Sequence, residues 1–164
     1  MENVLIIGGA RSGIAAARLL RVHGCAVTLT DSREVKEKHE LESLGVRVAD
    51  GGHPDWLLHE DWSYVVKNPG IPYRVAIVKH FVEKGVPVYT EVEIGYRYAK
   101  HFRYGAVTGT NGKTTITSLL LEMLKRKGKA LAAGNIGIPL CEQVYAHEEE
   151  EMDVAIELSN FQLL

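Results

Sequence analysis

Cysteine is scarce in this sequence. Cys25 and Cys141 are the only two, and neither sits in a C-x-x-C pair or at a metal-ligand spacing. That excludes a disulfide framework and predicts two reduced thiols in a cytoplasmic setting. Long apolar runs are lacking as well. The N-terminal run Val4–Ile7 is cut off by Gly8 and has no basic residues before it. It is too short for the apolar region of a signal peptide and far too short to span a bilayer, so no membrane partner is expected. Excess charge of one sign is also missing. A formal net charge of −2 over 164 residues gives no field for gathering nucleic acid, and any anionic ligand must be held by local groups. What remains, 46% hydrophobic and 24% charged residues, is the composition of an ordered, packed protein.

Short apolar runs alternate with amphipathic stretches, the pattern of βα units around a parallel sheet. Strands are predicted at Val4–Ile7, Ala26–Leu29, Val46–Val48, Tyr64–Val66 and Val86–Tyr89. Helices are predicted at Ser12–His23, Val35–Leu44 and Val75–Lys84, stopped by Gly24, Gly45 and Gly85. The pattern then restarts with a helix at Glu91–Lys100, strands at Tyr104–Thr108, Ala130–Ala132 and Val154–Glu157, and a helix at Lys113–Lys127. In that last helix Ile116, Leu119, Leu120, Met123 and Leu124 form the expected core stripe. Glu148–Glu151 reads as a solvated loop. The fold class expected is α/β: a Rossmann-like parallel-sheet domain over residues 1–92, then residues 93–164 as the start of a phosphate-loop domain. A parallel sheet needs cover on both faces, so the second block, with no helix after its last strand, is expected to be an incomplete portion.

The strongest chemical signal is Gly109-Thr110-Asn111-Gly112-Lys113-Thr114-Thr115, between a strand and a periodic helix. Its glycines let several N–H groups converge on one anion, and the helix N-terminus adds partial positive charge. Lys113 would reach the β- and γ-phosphates of ATP, and Thr114 would offer its hydroxyl to Mg²⁺. The loop is shorter than G-x-x-x-x-G-K-[ST], whose first glycine would fall on Val107. The bland alternative is a structural turn with a surface lysine and threonine. Glu157, at the C-terminal end of a buried strand, is either a second hard oxygen ligand for the metal or a carboxylate solvating the strand end.

In the first block, Gly8-Gly9-Ala10-Arg11-Ser12-Gly13 follows a strand and opens a helix, with Asp31 at the end of the next strand. Taken alone this suggests a dinucleotide site with Asp31 on a ribose hydroxyl, weakened by Ala10 at the middle glycine position. His53, His80 and His101 show no ligand spacing and read as surface or core histidines.

Three segments in one order carry a resemblance: T-G-T-N-G-K-T-T at 108–115, A-G-N-I-G-I-P at 133–139 and E-L-S-N-F-Q-L at 157–163. Together they are similar to the Mur ligases of peptidoglycan synthesis. N-P-G-I-P at 68–72 resembles the S-P-G-I-P segment of the D-glutamate-adding branch, and Asn160 stands where that branch more often has serine. The resemblance covers essentially the whole chain. It implies an ATP- and Mg²⁺-dependent ligase that joins D-glutamate to UDP-N-acetylmuramoyl-L-alanine through an acyl phosphate, expected as a monomer. It also implies roles for single residues. Lys113 would be catalytic, and Thr114 and Glu157 would hold the metal. Ser12, Asp31, Ser32, Arg33, Asn68, Pro69 and Gly70 would hold the UDP part, with Asn135, Ser159 and Gln162 orienting the substrate. Such a fragment is expected to be inactive alone. The rival readings are another Mur ligase and a non-catalytic nucleotide-sugar or dinucleotide-binding module.

Overall fold

A computed structural model describes residues 1–159. Val4, Leu5, Ile6, Ile7, Val65 and Val66 are all fully or almost fully buried, and this is why their strands read as unbroken apolar runs. They belong to a five-stranded sheet of β1 (Asn3–Ile7), β2 (Ala26–Thr30), β3 (Arg47–Ala49), β4 (Tyr64–Lys67) and β5 (Val88–Thr90). The order is β3-β2-β1-β4-β5, and every pair is parallel. The connecting helices are α1 (Arg11–Val22), α2 (Lys38–Ser43) and α3 (Ala76–Glu83). Alternate residues of β1 serve opposite faces: Val4 and Ile6 join α1, whereas Leu5 and Ile7 pack with Ile77, Val78 and Phe81 of α3.

α4 (Glu91–Tyr98) starts directly after β5 with a reciprocal cap between Thr90 and Glu93. It leads to a second parallel sheet of β6 (Phe102–Val107), β7 (Ala130–Gly134) and β8 (Met152–Glu157), ordered β6-β8-β7. α5 (Lys113–Lys125) follows β6, and α6 (Leu140–His147) follows β7. The larger hydrophobic core does not stop at the change of sheet. It runs from Val4, Ala16 and Leu20 through Ile94 to Leu140, Val144, Val154 and Ile156, so α1, α4 and α6 form one shared layer. Gly95 permits the closest approach there, since a Cβ at that position would lie 2.7 Å from Leu140 Cγ.

Several expectations need correction. The predicted stripe on α5 is only partly a core stripe: Leu120 and Leu124 are half-buried, whereas Ile116, Leu119 and Met123 are exposed, and Thr117 is that helix's fully buried residue. α5 is apolar on adjoining faces, so periodicity alone did not choose between them. The Thr117 hydroxyl donates to Lys113 O at 2.8 Å, which lets a polar residue face the sheet. α2 begins at Lys38 rather than Val35, because the Val35 N–H is bonded to Asp50 and the Lys38 ammonium to the same carboxylate. α6 was not predicted. Glu148–Glu151 is a turn with Glu149 and Glu151 exposed, as a solvated loop should be, and Glu150 pairs with Lys129.

Candidate functional site

The order of the first sheet reverses between β1 and β4, and ligands of open parallel sheets bind at such a switch point, beyond the strand ends. The chain leaving β1 folds through Gly8, with φ of 107°, into α1. Gly13 must stay bare, because a Cβ there would meet Gly8 O at 1.9 Å. No side chain caps the first turn of α1, which leaves its first N–H groups for a ligand or water. Across the switch point the Asn68 amide donates to Ser12 Oγ at 2.8 Å, and Asn68 Oδ1 accepts the Gly70 N–H at 3.0 Å. Asp31 receives the N–H groups of Gly9 at 2.6 Å and Arg33 at 2.8 Å. Partial burial disfavours its ionised form, but these two donors outweigh that and hold its pKa below the usual carboxylate value. A cavity of about 280 Å³ is lined by Asp31, Ser32, Arg33, Asn68 and Gly70, and also by His53. His53 is exposed, as expected of a surface histidine, and it also edges this cleft. It is a cleft wall held by Thr30 Oγ1 at 2.9 Å, and nothing in its sequence spacing signalled this.

The second sheet presents its loops along the same edge. Gly109 and Gly112 adopt φ of 142° and 74°, conformations that side chains resist, and so turn the loop into α5. Lys113 Nζ folds back onto Gly109 O at 2.7 Å, spanning the hollow of the loop. Thr114 Oγ1 donates to Glu157 Oε2 at 2.9 Å. Glu157 is 4% exposed, opposite Val107 on one side and Gly134 on the other. Its carbonyl accepts the Asn135 N–H at 2.9 Å, which brings the loop after β7 to the same point. Ser159 follows two residues later, and Gln162 lies outside the described residues. No cluster of three or more His, Cys, Asp or Glu residues that could hold a metal exists among the described residues. The paired oxygens of Thr114 and Glu157 nevertheless fit Mg²⁺, which keeps most of its shell as water and phosphate and asks few ligands of the protein.

The two edges meet. A cavity of about 360 Å³ has Arg11, Ser12, Asn68, Pro69 and Gly70 on one side and Gly134, Asn135 and Gly137 on the other, with Glu91 in its lining. Thr110, Asn111 and Thr115 lie on the phosphate loop and its helix, outside both cavities. A larger cavity of about 500 Å³ between α4 and β6 is walled mainly by apolar residues such as Val92, Tyr104 and Ile156, with Glu93 and Arg97 in its lining, and none of the loops after β1, β4 or β7 reaches it. The convergence of polar groups, not size, marks the site.

Residues 2–90 match the family model described as "Mur ligase MurD-like, N-terminal domain", and residues 107–163 match the Mur ligase middle domain. The chain belongs to the Mur ligase family. A UDP-N-acetylmuramoylalanine--D-glutamate ligase of Geobacillus sp. (strain WCH70) is 50% identical over 99% of this chain and 36% of its own length. Its counterpart in Streptococcus agalactiae serotype III is 46% identical over 99% of this chain and 37% of its own. The chain thus spans little more than a third of these relatives. Among solved structures, a murein peptide ligase from Psychrobacter arcticus superposes with a TM-score of 0.59 at 24% identity, over 98% of this chain and 39% of that one. The parallel α/β architecture is thus that of Mur ligases. No helix among the described residues is long and apolar enough to cross a membrane.

Proposed function

We propose that this chain is the nucleotide-sugar-binding and phosphate-loop portion of a cytoplasmic, monomeric Mur ligase that adds D-glutamate to UDP-N-acetylmuramoyl-L-alanine. Residues 1–92 would form the UDP-substrate domain and 93–164 the N-terminal part of the ATP-binding central domain. The observation that carries the reading is the shared cleft, with Ser12 and Asn68 on one wall and Asn135 on the other, beside a loop whose Thr114 is bonded to Glu157.

In this reading the UDP diphosphate sits at the uncapped N-terminus of α1, with Asp31, Ser32 and Arg33 toward the uridine and Asn68, Pro69 and Gly70 along the sugar. ATP phosphorylates the substrate carboxylate, releasing ADP. The D-glutamate amine then attacks the acyl phosphate, expelling inorganic phosphate and forming the amide. Lys113 leaves Gly109 O to meet the transferring phosphoryl group, while the Gly109–Thr115 backbone cradles the phosphates. Mg²⁺ bound at Thr114 and Glu157 would supply charge neutralisation. Asn135, Ser159 and Gln162 would orient the acceptor carboxylate against that centre. A dinucleotide module is the second reading, favoured by the Gly8–Gly13 turn. Against it, Ala10 stands at the middle glycine position, where a side chain hinders close approach of a pyrophosphate.

Calorimetric titration of the chain with UDP-N-acetylmuramoyl-L-alanine, NAD and ATP tests the proposal. The UDP ligand should bind most tightly, and Lys113→Ala should weaken ATP by about tenfold while shifting the UDP ligand by less than about twofold. NAD binding tighter than the UDP ligand would sink it.

A further inference from the structure

Glu91 and Glu157 are the two buried carboxylates among the described residues. Glu157 faces the phosphate loop. Glu91 faces α6. It is the first residue of α4, 3% exposed, and its Oε1 accepts the Cys141 N–H in the first turn of α6. The Cys141 thiol returns a bond to Glu91 O at 3.2 Å. α6 is preceded by Pro139, which has no side-chain acceptor, and no residue of its own chain segment caps it. The Glu91 carboxylate supplies that missing cap from another helix. One turn further along α4, Gly95 brings the backbone of α6 close enough that a Cβ would sit 3.1 Å from Cys141 N. The bond is thus made where the two helices are in tightest contact.

The segment held by this bond forms one wall of the cleft. Gly134, Asn135, Gly137 and Pro139 run directly into α6, and Glu91 lines the same cavity as Ser12 and Asn68 on the opposite wall. We propose that Glu91 is a positioning residue: by capping α6 it holds the Gly134–Pro139 wall in register with Ser12 and Asn68, and so sets the affinity of the cleft for its nucleotide-sugar ligand. The affinity part rests on the function proposed above; the positioning part does not.

The charge on Glu91 has a consequence of its own. Burial pushes its pKa up to about 7; the two Cys141 donors pull the other way, and Glu142 on α6 adds to the rise. The groups facing it are Cys141 and Glu142 from α6, with Arg11 of α1 in the same cavity lining. An anionic ligand in that cavity favours the protonated carboxyl, so binding near neutral pH takes up protons.

The test uses the whole chain with Glu91→Ala and Glu91→Gln. Titration with UDP-N-acetylmuramoyl-L-alanine near pH 7, in buffers of different ionisation heat, reads affinity and proton uptake. Amide exchange without ligand reads Cys141 and Gly137. Glu91→Ala should lose affinity by about tenfold and speed Cys141 exchange by at least about tenfold. Glu91→Gln keeps an acceptor oxygen, so it should hold affinity within about threefold and protect Cys141, yet show no proton uptake. Wild-type protection of Cys141 in Glu91→Ala would overturn the positioning role, and unchanged proton uptake in Glu91→Gln would overturn the assignment of that uptake to Glu91. If wild type bound no UDP ligand, the function proposed above would fall, and the exchange rates alone would decide whether Glu91 holds the wall.

Discussion

The Thr114 hydroxyl donates to the Glu157 carboxylate across 2.9 Å, joining the first turn of α5 to the last residue of β8. The two residues are far apart in sequence and meet only because β8 lies between β6 and β7, with Glu157 opposite Val107 at the mouth of the phosphate loop. Hard oxygens so placed are the groups a phosphate-bound Mg²⁺ would need.

Thr114→Val keeps the shape of the side chain and removes that donor. We expect a loss of about 1–2 kcal/mol in unfolding free energy, because a buried carboxylate loses a partner. We also expect the gain in ATP affinity on adding Mg²⁺ to shrink, while ATP binding without the ion changes little. Chemical denaturation and paired titrations with and without Mg²⁺ would check both. An undiminished Mg²⁺ effect would remove Thr114 from the metal site.

Gly13→Ala tests how tightly the first turn of α1 sits on β1. Its Cβ would meet Gly8 O at 1.9 Å, a backbone atom that cannot swing away. The expected loss is at least about 2 kcal/mol, with weaker UDP-ligand binding, since α1 must move from the cleft. Gly24→Ala is the control. It has open space around it but a φ of 79°, so it should cost about 1 kcal/mol and leave binding intact. Equal costs for the two would show that the contact with Gly8 O relaxes at little cost.

Glu91 should leave its mark on stability as a function of pH. Its pKa rises from the usual 4.5 to about 7 on folding. Between those values the folded chain keeps a proton that the unfolded chain has released. Its contribution is therefore fully present at acid pH, falls as pH rises across that window and is flat above it. The difference between wild type and Glu91→Gln should change by on the order of 3 kcal/mol across the window, with the variant gaining relative to wild type as pH rises. Denaturant midpoints measured at several pH values would show it. A difference independent of pH would mean that the carboxyl titrates near its ordinary value.

The sequence by itself determined the class of fold and the family. Strands buried on both faces must be unbroken apolar runs, as at Val4–Ile7 and Tyr64–Val66. The turns that end helices need glycines where φ is positive, as at Gly24, Gly45 and Gly85. The glycine turn at 109–112 into α5 was legible because its spacing is set by local backbone geometry, and the family followed from three local motifs in order. Only the tertiary structure decided which residues meet. Asn68 finds Ser12, Glu157 finds Thr114, and His53 enters the cleft wall through strand order and loop packing, which leave no periodic trace. The same holds for α5, where apolar residues on adjoining faces left burial to the packing of the sheet, which took Thr117 and left Ile116 and Met123 exposed. Glu91 reads in sequence as an ordinary acidic residue at the start of a helix. It becomes a buried cap because α6 arrives from the second sheet with a proline where its own cap would be.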